Sequence, residues 1–598
     1  MEEMNEFKRT GKPVKRTGER NGRTEQVREG AGELMSGGEK SHAETHNVED
    51  KIKKRKQKLI ELTKDPYTLI FLGILILGIA IRLYFFWIAK SQPLWWDESD
   101  YMAYAKDLIG RAYHTITPGH NSLFPYIVAF FFKLGLSEEI IRFILEVLPS
   151  MILVFLTYKI CILMYDDKRI GLICSFLMAV FWPVLFNTYR FHVDIPAFCI
   201  VFLAIYIFWQ GYERKEKIFG KLNHNWAVPL TVFLVILVYA VRRGYFLFGF
   251  FFLFYMIFTR KIKELLKDKY NWIAVGIGLA ALLIAEKFVF TTSIGGLTDI
   301  YYHEEFPFTL LPFKVFKVYF AYSSNFLKDS LFYLFILGVF LLVINIVLSL
   351  GYIKKSQDKK VKANIFALLT IAITMFHFLF IQRIPGVYGE ERYYFSLLLG
   401  ALICISLAVL YIADYIKKYN KYIAIAVIVL LIGYGGYYEF KYAETTIKGK
   451  LISFSGIKEA SLFIKGVSNS QDIIFVVPEP QTTYYSERPI TGPRRLLGTP
   501  SNMDTTLEMF LEKLQTPEAE NIRFIIVTFS EPNHPEWMRK DVYTQDGRFA
   551  KWQIPFMDTE VDFTTGTQKI EQEKTYGNIT FKLLAIKQDA FVYEIIKS

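Results

Sequence analysis

Apolar runs of about 20 residues recur along this chain, each long enough to carry a helix through a hydrocarbon core of roughly 30 Å. Backbone groups in lipid must satisfy one another, so runs of this length and number confine the fold to a bundle of membrane-crossing helices. Composition agrees, since 52% of the 598 residues are hydrophobic and 17% aromatic, outside the range of soluble domains. The formal charge of +12 is not a nucleic-acid footprint, because Lys and Arg sit in short clusters between the apolar runs. Cys161, Cys174, Cys199 and Cys404 all lie inside apolar segments, which leaves no disulfide framework and no Cys-based metal site.

Residues 1–58 hold few apolar side chains and cannot offset chain entropy by burial, so a disordered basic tail is expected there. It lacks a signal-peptide pattern, which makes the first span an uncleaved anchor. The run "KIKKRKQK" (51–58) places the tail in the cytoplasm. With 67–89 as the first span, the apolar piece "SLFPYIVAFFFKLGL" (122–136) is only 15 residues long and contains Pro125 and Lys133. Laid along the outer interface, it leaves spans near 140–164, 170–188, 194–210, 226–241 and 245–259. The clusters "DDKR" (166–169), "ERKEK" (213–217), "RKIKELLKDK" (260–269), "KKSQDKKVK" (354–362) and "KKYNK" (417–421) then all face inward. Further spans near 271–290, 331–350, 364–381, 393–416 and 422–437 bring the membrane domain, 59–439, to about eleven helices. With the N-terminus cytoplasmic, an odd number puts 440–598 on the extracytoplasmic side. There a helix-like stretch (456–466) and strand-like runs at 472–477, 523–529, 579–586 and 590–596 predict a small α/β domain.

The outward loops collect an unusual set of polar residues. "WWDESDYM" (95–102) places Asp97 and Glu98 beside two tryptophans where the first span emerges. Tyr101, Ala105 and Leu108 then form the stripe of a short interfacial helix that Ser99 can cap. The second outer loop, "YRFHVDIP", holds Arg190, His192 and Asp194. The third, "AVRRGYF" (240–246), carries Arg242, Arg243 and Tyr245 against the positive-inside trend. "QRIPGVYGEERYYF" (382–395) adds Arg383, Arg392, Tyr393 and Tyr394. Arg82, in the outer half of the first span, is costly to bury unpaired and is a functional candidate on that ground. A blander reading stands beside each: tryptophans mark membrane interfaces generally, and arginines snorkel to headgroups. Glu286 and Lys287 read as a mutual ion pair, and His377 as a helix-packing residue. A divalent metal on Asp97, Glu98, His192 and Asp194 has no supporting ligand spacing.

Carboxylates and arginines together at a lipid surface suit a phosphate-linked lipid donor. Moving a sugar from a polyprenyl phosphate requires deprotonating an acceptor hydroxyl, worth ~10²–10⁴-fold in rate when a carboxylate does it. The phosphate leaves as a stable anion and needs no acid, unlike the alkoxide of glycoside hydrolysis. Arginines steady the charge it gains. A single in-line displacement predicts inversion at the anomeric carbon.

The pattern Asp97-Glu98, Tyr101, Ala105, Leu108, Gly110, "LFPY" (123–126), Arg142 with Pro149-Ser150, and Arg190 with Asp194 resembles the GT-C glycosyltransferases of the protein O-mannosyltransferase and aminoarabinose-lipid A transferase type. "IRLYFF" (81–86) and "ERYYFSLLL" (391–399) add to the likeness, which covers roughly 65–400. The resemblance implies a multi-pass GT-C fold, a polyprenyl-phosphate-sugar donor, and a protein, lipid or glycan acceptor among membrane lipids. It also implies catalysis by Asp97 with Glu98 assisting, juxtamembrane helices at 99–110 and 122–136, and lipid-phosphate contacts from Arg242 and from Arg243 and Arg392. His192 and Asp194 stand where such enzymes often carry a second polar motif. Oligosaccharyltransferases share the superfamily, but 440–598 contain no WWDYG-like element, which argues against block transfer.

A lipid flippase would also need phosphate-binding arginines, yet few charges lie at the bilayer midplane. A receptor using the spans as an anchor would not need eleven of them. The "QTTYYSERP" run (481–489) reads as an exposed aromatic loop suited to choosing the acceptor, and "NIT" (578–580) as a glycosylation sequon.

Overall fold

The computed structural model describes residues 65–117, 120–290, 317, 319–349, 359–381, 390–531 and 533–598. The expected tail, Arg383, and much of the basic loop 354–362 lie outside them. Residues Ile70–Ser598 form one compact unit; of the other, Met1–Leu69, the described residues open the first helix.

Among the described residues, nine helices are long and apolar enough to cross a membrane: Pro66–Ala89, Glu138–Tyr165, Asp194–Glu213, His224–Val241, Lys269–Phe288, Ser330–Ser349, Lys359–Phe380, Glu391–Lys417 and Lys421–Val467. A bent pair, Lys168–Val180 and Trp182–Thr188, meets at 48° and supplies a tenth. The eleventh expected span is the shorter apolar helix Arg243–Thr259, and the segment read as interfacial is the short helix Leu123–Lys133. Glu391–Lys417 is the central helix: 83% of its apolar window is buried, against 11% for the peripheral Lys269–Phe288. Its neighbour Ser330–Ser349 approaches so closely that a Cβ on Gly338 would stand 2.0 Å from the Cys404 carbonyl oxygen. Close contact through small residues is how helices pack where lipid removes the hydrophobic drive between them.

The bend at 180–182 has a covalent cause. Pro183 has no N–H to give to the Ala179 carbonyl one turn back. Arg82 fills the gap: Nη1 donates to Ala179 O at 3.0 Å and to Gly78 O at 3.1 Å, Nη2 to Met178 O at 3.1 Å, and Nε to Ser150 Oγ at 2.7 Å. On the other side of the break the Trp182 N–H donates to Glu439 Oε2 at 3.3 Å. A cation thus meets the C-terminal end of one half-helix, as its dipole favours, and the Glu439 side chain accepts a backbone N–H at the N-terminal end of the next. Arg82, expected to bind substrate, is a buried structural clamp.

After Lys421–Lys450, the helix Ser455–Val467 leads into a β-rich region. One sheet runs β2-β1-β3-β10-β9-β8, with β1 Ile473–Phe475, β2 Ile490–Thr491, β3 Ile522–Thr528, β8 Glu573–Tyr576, β9 Ile579–Lys587 and β10 Ala590–Lys597. β1 is parallel to β2 and β3, while β10 pairs antiparallel with β3 and β9. Side chains alternate between its faces. Ile474, Phe524, Ile526 and Val592 pack on Ile457, Ala460 and Ile464 of the preceding helix, and Phe475, Ile525, Val527 and Tyr593 pack with Phe510 and Trp537. The strand-like runs read from the sequence are β1, β3, β9 and β10. A second sheet, β4-β5-β6-β7 (Lys540–Tyr543, Phe549–Ile554, Thr559–Asp562, Gln568–Lys569), had no counterpart in that reading; β4, β6 and β7 are at least half polar, and none of the three exceeds four residues.

The run at 481–489 is not an exposed loop. It belongs to the helix Glu479–Ser486, whose residues Pro480–Ser486 are all buried, and this helix packs on the first-loop helix Trp96–Asp107. Both tyrosine hydroxyls find partners: Tyr484 donates to Glu138 at 2.9 Å, and Tyr485 accepts from Leu94 N at 2.8 Å. Lys106 ties the same surfaces together through Tyr484 O at 2.8 Å and Glu487 at 2.7 Å.

Candidate active site

The helix Trp96–Asp107 starts from extended backbone at Trp95, and Glu98 Oε2 reaches back to accept the Trp95 N–H at 3.1 Å, the reciprocal half of a capping box. Ser99, expected as the cap, instead donates to the Trp95 carbonyl at 2.6 Å. Glu98 Oε1 takes the Arg190 Nε–H, and that guanidinium lies 3.2 Å over the Trp95 ring. With a side chain 1% exposed and both oxygens engaged, Glu98 positions Arg190 and the helix start. The expectation that it assists at the reacting atoms is corrected accordingly.

Asp97, one residue earlier, faces the other way. Its side chain is 28% exposed, while those of Asp100 and Asp194 are 2% exposed. Oδ2 accepts from Arg392 Nη2 at 3.0 Å, and Oδ1 stands 3.9 Å from His120 Nε2. Burial by itself would raise the Asp97 pKa, but Arg392, His120 and Arg242 together hold it below the usual carboxylate range.

Arg392 is the hub. Besides Asp97 it reaches Asp194 Oδ2 at 3.8 Å, Glu390 through Nε, and His192 Nδ1 at 2.7 Å. His192 can accept because burial, then Arg392, Arg190 and Arg242, push its pKa well below the ordinary value and keep it neutral. Arg242 Nε lies 3.0 Å from Asp194 Oδ1, and Arg242 and Arg392 each sit 5.4 Å over the Tyr393 ring. Tyr245 OH is 3.5 Å from the Asp194 carbonyl. Residues from the four stretches that the sequence reading placed on one side therefore converge: Asp97, then Arg190, His192 and Asp194, then Arg242 and Tyr245, then Arg392 and Tyr393.

Arg243 is not among them. Its Nε donates to Asn121 Oδ1 at 2.5 Å, its guanidinium lies 5.0 Å over Phe290, and Asn121 Nδ2 donates to Tyr239 O at 2.9 Å. It fastens the end of the first loop to neighbouring helix ends. The sequence reading also missed Asp100, His114, Thr117 and His120. Asp100 accepts from His120 Nδ1 at 2.7 Å, His114 Nε2 at 2.8 Å, Thr117 Oγ1 at 2.8 Å and Thr117 N at 3.2 Å. The available signal was two histidines six residues apart just downstream of the acids. From the C-terminal region, Glu531 Oε2 accepts the Trp96 Nε1–H at 2.9 Å, so that region borders Asp97 as well.

The arrangement does not fit a divalent ion. The place such an ion would take between Asp97 and Asp194 is held by the Arg392 guanidinium. Among the described residues no group of three or more His, Cys, Asp or Glu side chains is disposed to hold a metal. What the cluster can do is abstract a proton at the accessible Asp97 carboxylate and hold an anion on two guanidinium groups next to it.

A family profile described as dolichyl-phosphate-mannose-protein mannosyltransferase matches residues 119–285, a stretch that includes His120, Arg190, His192, Asp194 and Arg242. No curated protein matches the chain in sequence. Among solved structures, the Archaeoglobus fulgidus oligosaccharyltransferase in its apo form aligns at a TM-score of 0.54 with 12% identity, over 82% of this chain and 74% of that one. The oligosaccharyltransferase AglB from Archaeoglobus fulgidus, with an inhibitory peptide and a dolichol-phosphate, aligns at 0.54 with 11% identity, over 85% of this chain and 76% of that one. ArnT from Cupriavidus metallidurans bound to undecaprenyl phosphate aligns at 0.48 with 11% identity, over 87% and 98%. The fold is GT-C: a helical membrane core followed by a β-rich region.

Proposed function

We propose that this chain is a membrane glycosyltransferase that moves a sugar from a polyprenyl-phosphate donor to an acceptor hydroxyl on the outer face, with inversion at the anomeric carbon. The observation that carries this is the pairing of one accessible carboxylate with two guanidinium groups. Asp97, unlike the buried Glu98, Asp100 and Asp194, reaches solvent, and Arg392, bonded to it, shares the Tyr393 ring with Arg242.

Asp97 takes the proton of the acceptor hydroxyl while that oxygen attacks the anomeric carbon. Arg242 and Arg392 receive the departing lipid phosphate, exchanging Asp194 and Glu390 for its oxygens. Glu98, Arg190 and His192 hold the frame. The family profile favours a protein acceptor and a mannosyl donor; dolichol-phosphate and acceptor peptide in the archaeal neighbour's complexes support the same partner classes. In this reading the N-terminus is cytoplasmic, 59–439 is the catalytic membrane domain, and 440–598 is an extracytoplasmic domain that closes over the first loop.

The test is the product. Reconstituted protein is given polyprenyl-phosphate monosaccharides or polyprenyl-diphosphate oligosaccharides extracted from the source membrane, and the new linkage is read by NMR. Inverted transfer of one sugar is expected; retained configuration refutes a single displacement at Asp97, and transfer of the oligosaccharide block alone refutes the donor class.

A further inference from the structure

The sheet β4-β5-β6-β7 has two hairpin turns at one end, 544–548 between β4 and β5 and 563–567 between β6 and β7. Gly547 and Gly566, with φ of +77° and +72°, close them. Aromatic rings gather at that end and stay open to solvent: Tyr543 is 59% exposed, Phe549 38% and Phe563 50%. Ring centroids lie 5.7 Å apart for Tyr543 and Phe549 and 5.5 Å apart for Phe549 and Phe563. A single exposed ring is ordinary, but three in contact beside a well-filled core mark a surface that binds something.

A series of direct contacts joins this patch to the site. Phe563 meets Trp552 edge-on at 4.6 Å, and Trp552 lies nearly flat on Phe529 at 4.1 Å. Arg539 sits 5.2 Å over Phe529 and donates to the Glu531 carbonyl. The Glu531 carboxylate accepts the Trp96 Nε1–H on one oxygen and Asn533 Nδ2, at 3.2 Å, on the other. Trp96 is exposed and directly precedes Asp97. With its one polar group taken, it turns an apolar ring to the solvent beside the reacting carboxylate.

Polar side chains border the rings. Arg548 and Asp546 pair across the first turn, Lys551 and Gln553 both reach Glu560, and Thr564 and Thr565 stand exposed next to Phe563. The charges are paired, so the surface suits a neutral ligand. A saccharide ring has the matching character: a face of C–H bonds that fits the negative face of an aromatic ring, and a rim of hydroxyls that both give and take hydrogen bonds. A bilayer fits less well, because the ion pair at the first turn would lose its water there. An extended peptide would pair with the edge strand β4, whereas Phe549 and Phe563 stand on β5 and on the second turn.

We propose that this aromatic face and Trp96 form an acceptor subsite that binds a neutral saccharide chain and leads it to Asp97. For the use made of the chain, this rests on the transferase reading. Tyr543, Phe549 and Phe563 hold the body of the chain, Trp96 holds the sugar that reacts, and the acceptor hydroxyl is a sugar hydroxyl. A saccharide already attached to a protein meets these rings as a free chain does, which agrees with the protein acceptor that the family profile favours.

The probe is the neutral, protein-free glycan released from the source envelope and immobilised on a gel. Full-length wild type in detergent is expected to be retained, and Phe549→Ser/Phe563→Ser about 10-fold less, two rings contributing a few-fold each. With the same glycan as acceptor, the double variant should need about 10-fold more of it for half its maximal rate, with lipid-phosphate binding as in wild type. Phe549→Tyr/Phe563→Tyr keeps the ring faces and should restore both. Equal retention of the serine variant overturns the proposal, as does retention of wild type only on envelope peptides or on phosphatidylglycerol vesicles. Should the serine variant not fold, hydroxyl-radical footprinting of wild type decides: the glycan is expected to protect Tyr543, Phe549 and Phe563, and protection that misses them overturns the subsite. Retention needs no transfer, so the two readings fail separately. A wild type that binds the glycan through these rings yet transfers no sugar removes the transferase reading, whereas an active transferase unmoved by the double variant removes the subsite.

Discussion

Replacing Arg82 by methionine tests the account of the bent helix. The side chain donates four hydrogen bonds inside the bundle, two of them to the Met178 and Ala179 carbonyls left without helical donors by the break at Trp182-Pro183. The Gly78 carbonyl lies within an unbroken helix, and Ser150 Oγ keeps its bond from Thr188 at 2.8 Å. The loss is therefore two orphaned carbonyls at about 1–3 kcal/mol each, or about 2–6 kcal/mol. Against a total stability of about 5–15 kcal/mol, that is a large drop.

Three of the four cysteines are buried, so a thiol-reactive fluorophore reports melting in detergent directly. Arg82→Met should melt well below wild type. Pro183→Ala returns an N–H to Ala179, so the double variant should recover one carbonyl's share, about 1–3 kcal/mol. Polyprenyl-phosphate binding by folded Arg82→Met should match wild type. Strictly additive effects of the two substitutions, or selective loss of lipid-phosphate binding in folded Arg82→Met, would refute the clamp.

Arg392→Met should lower kcat by roughly 10²–10³, the cost of losing one preorganised donor to a developing anion. It should also move the acid limb to higher pH: Asp97 works ionised, Arg392 favours that form, and without it the carboxylate protonates at a pH nearer the ordinary value. Arg392→Lys should hold the limb but still lose rate, because an ammonium cannot bridge Asp97 and Asp194 as the fork does. Gly338→Ala should destabilise severely in the same thiol melt, because the new methyl meets backbone, at 2.0 Å from the Cys404 carbonyl, which no rotamer change can move.

Much of the membrane architecture was legible because charge and apolar length act on it separately. Runs such as 67–89 and 393–416 announce their helices by length, and the 15-residue run 122–136 is too short for one, in keeping with the short helix Leu123–Lys133. The acid-arginine convergence was legible for a related reason: loops ending at one depth on one side must bring Asp97, His192, Asp194, Arg242 and Arg392 near each other. Contacts made by chain reversal left no such trace. His114 and His120 lie on an irregular loop without periodicity, and only the fold brings both back to Asp100. Arg82 and Arg243 show the opposite error. A charge in or near a span looks unpaired in sequence, and the partners that satisfy them, two kink carbonyls and Asn121, cannot be read from composition. Tyr484 and Tyr485 looked exposed because their run is polar, yet hydroxyls that find Glu138 and Leu94 N permit full burial.

The proposed chemistry turns on the Asp97 carboxylate. Single-turnover transfer by Asp97→Asn, with lipid-phosphate binding measured on the same folded sample, tests it most directly. The account predicts donor bound as in wild type and sugar transfer slowed by at least ~10²-fold; transfer at the wild-type rate would contradict it.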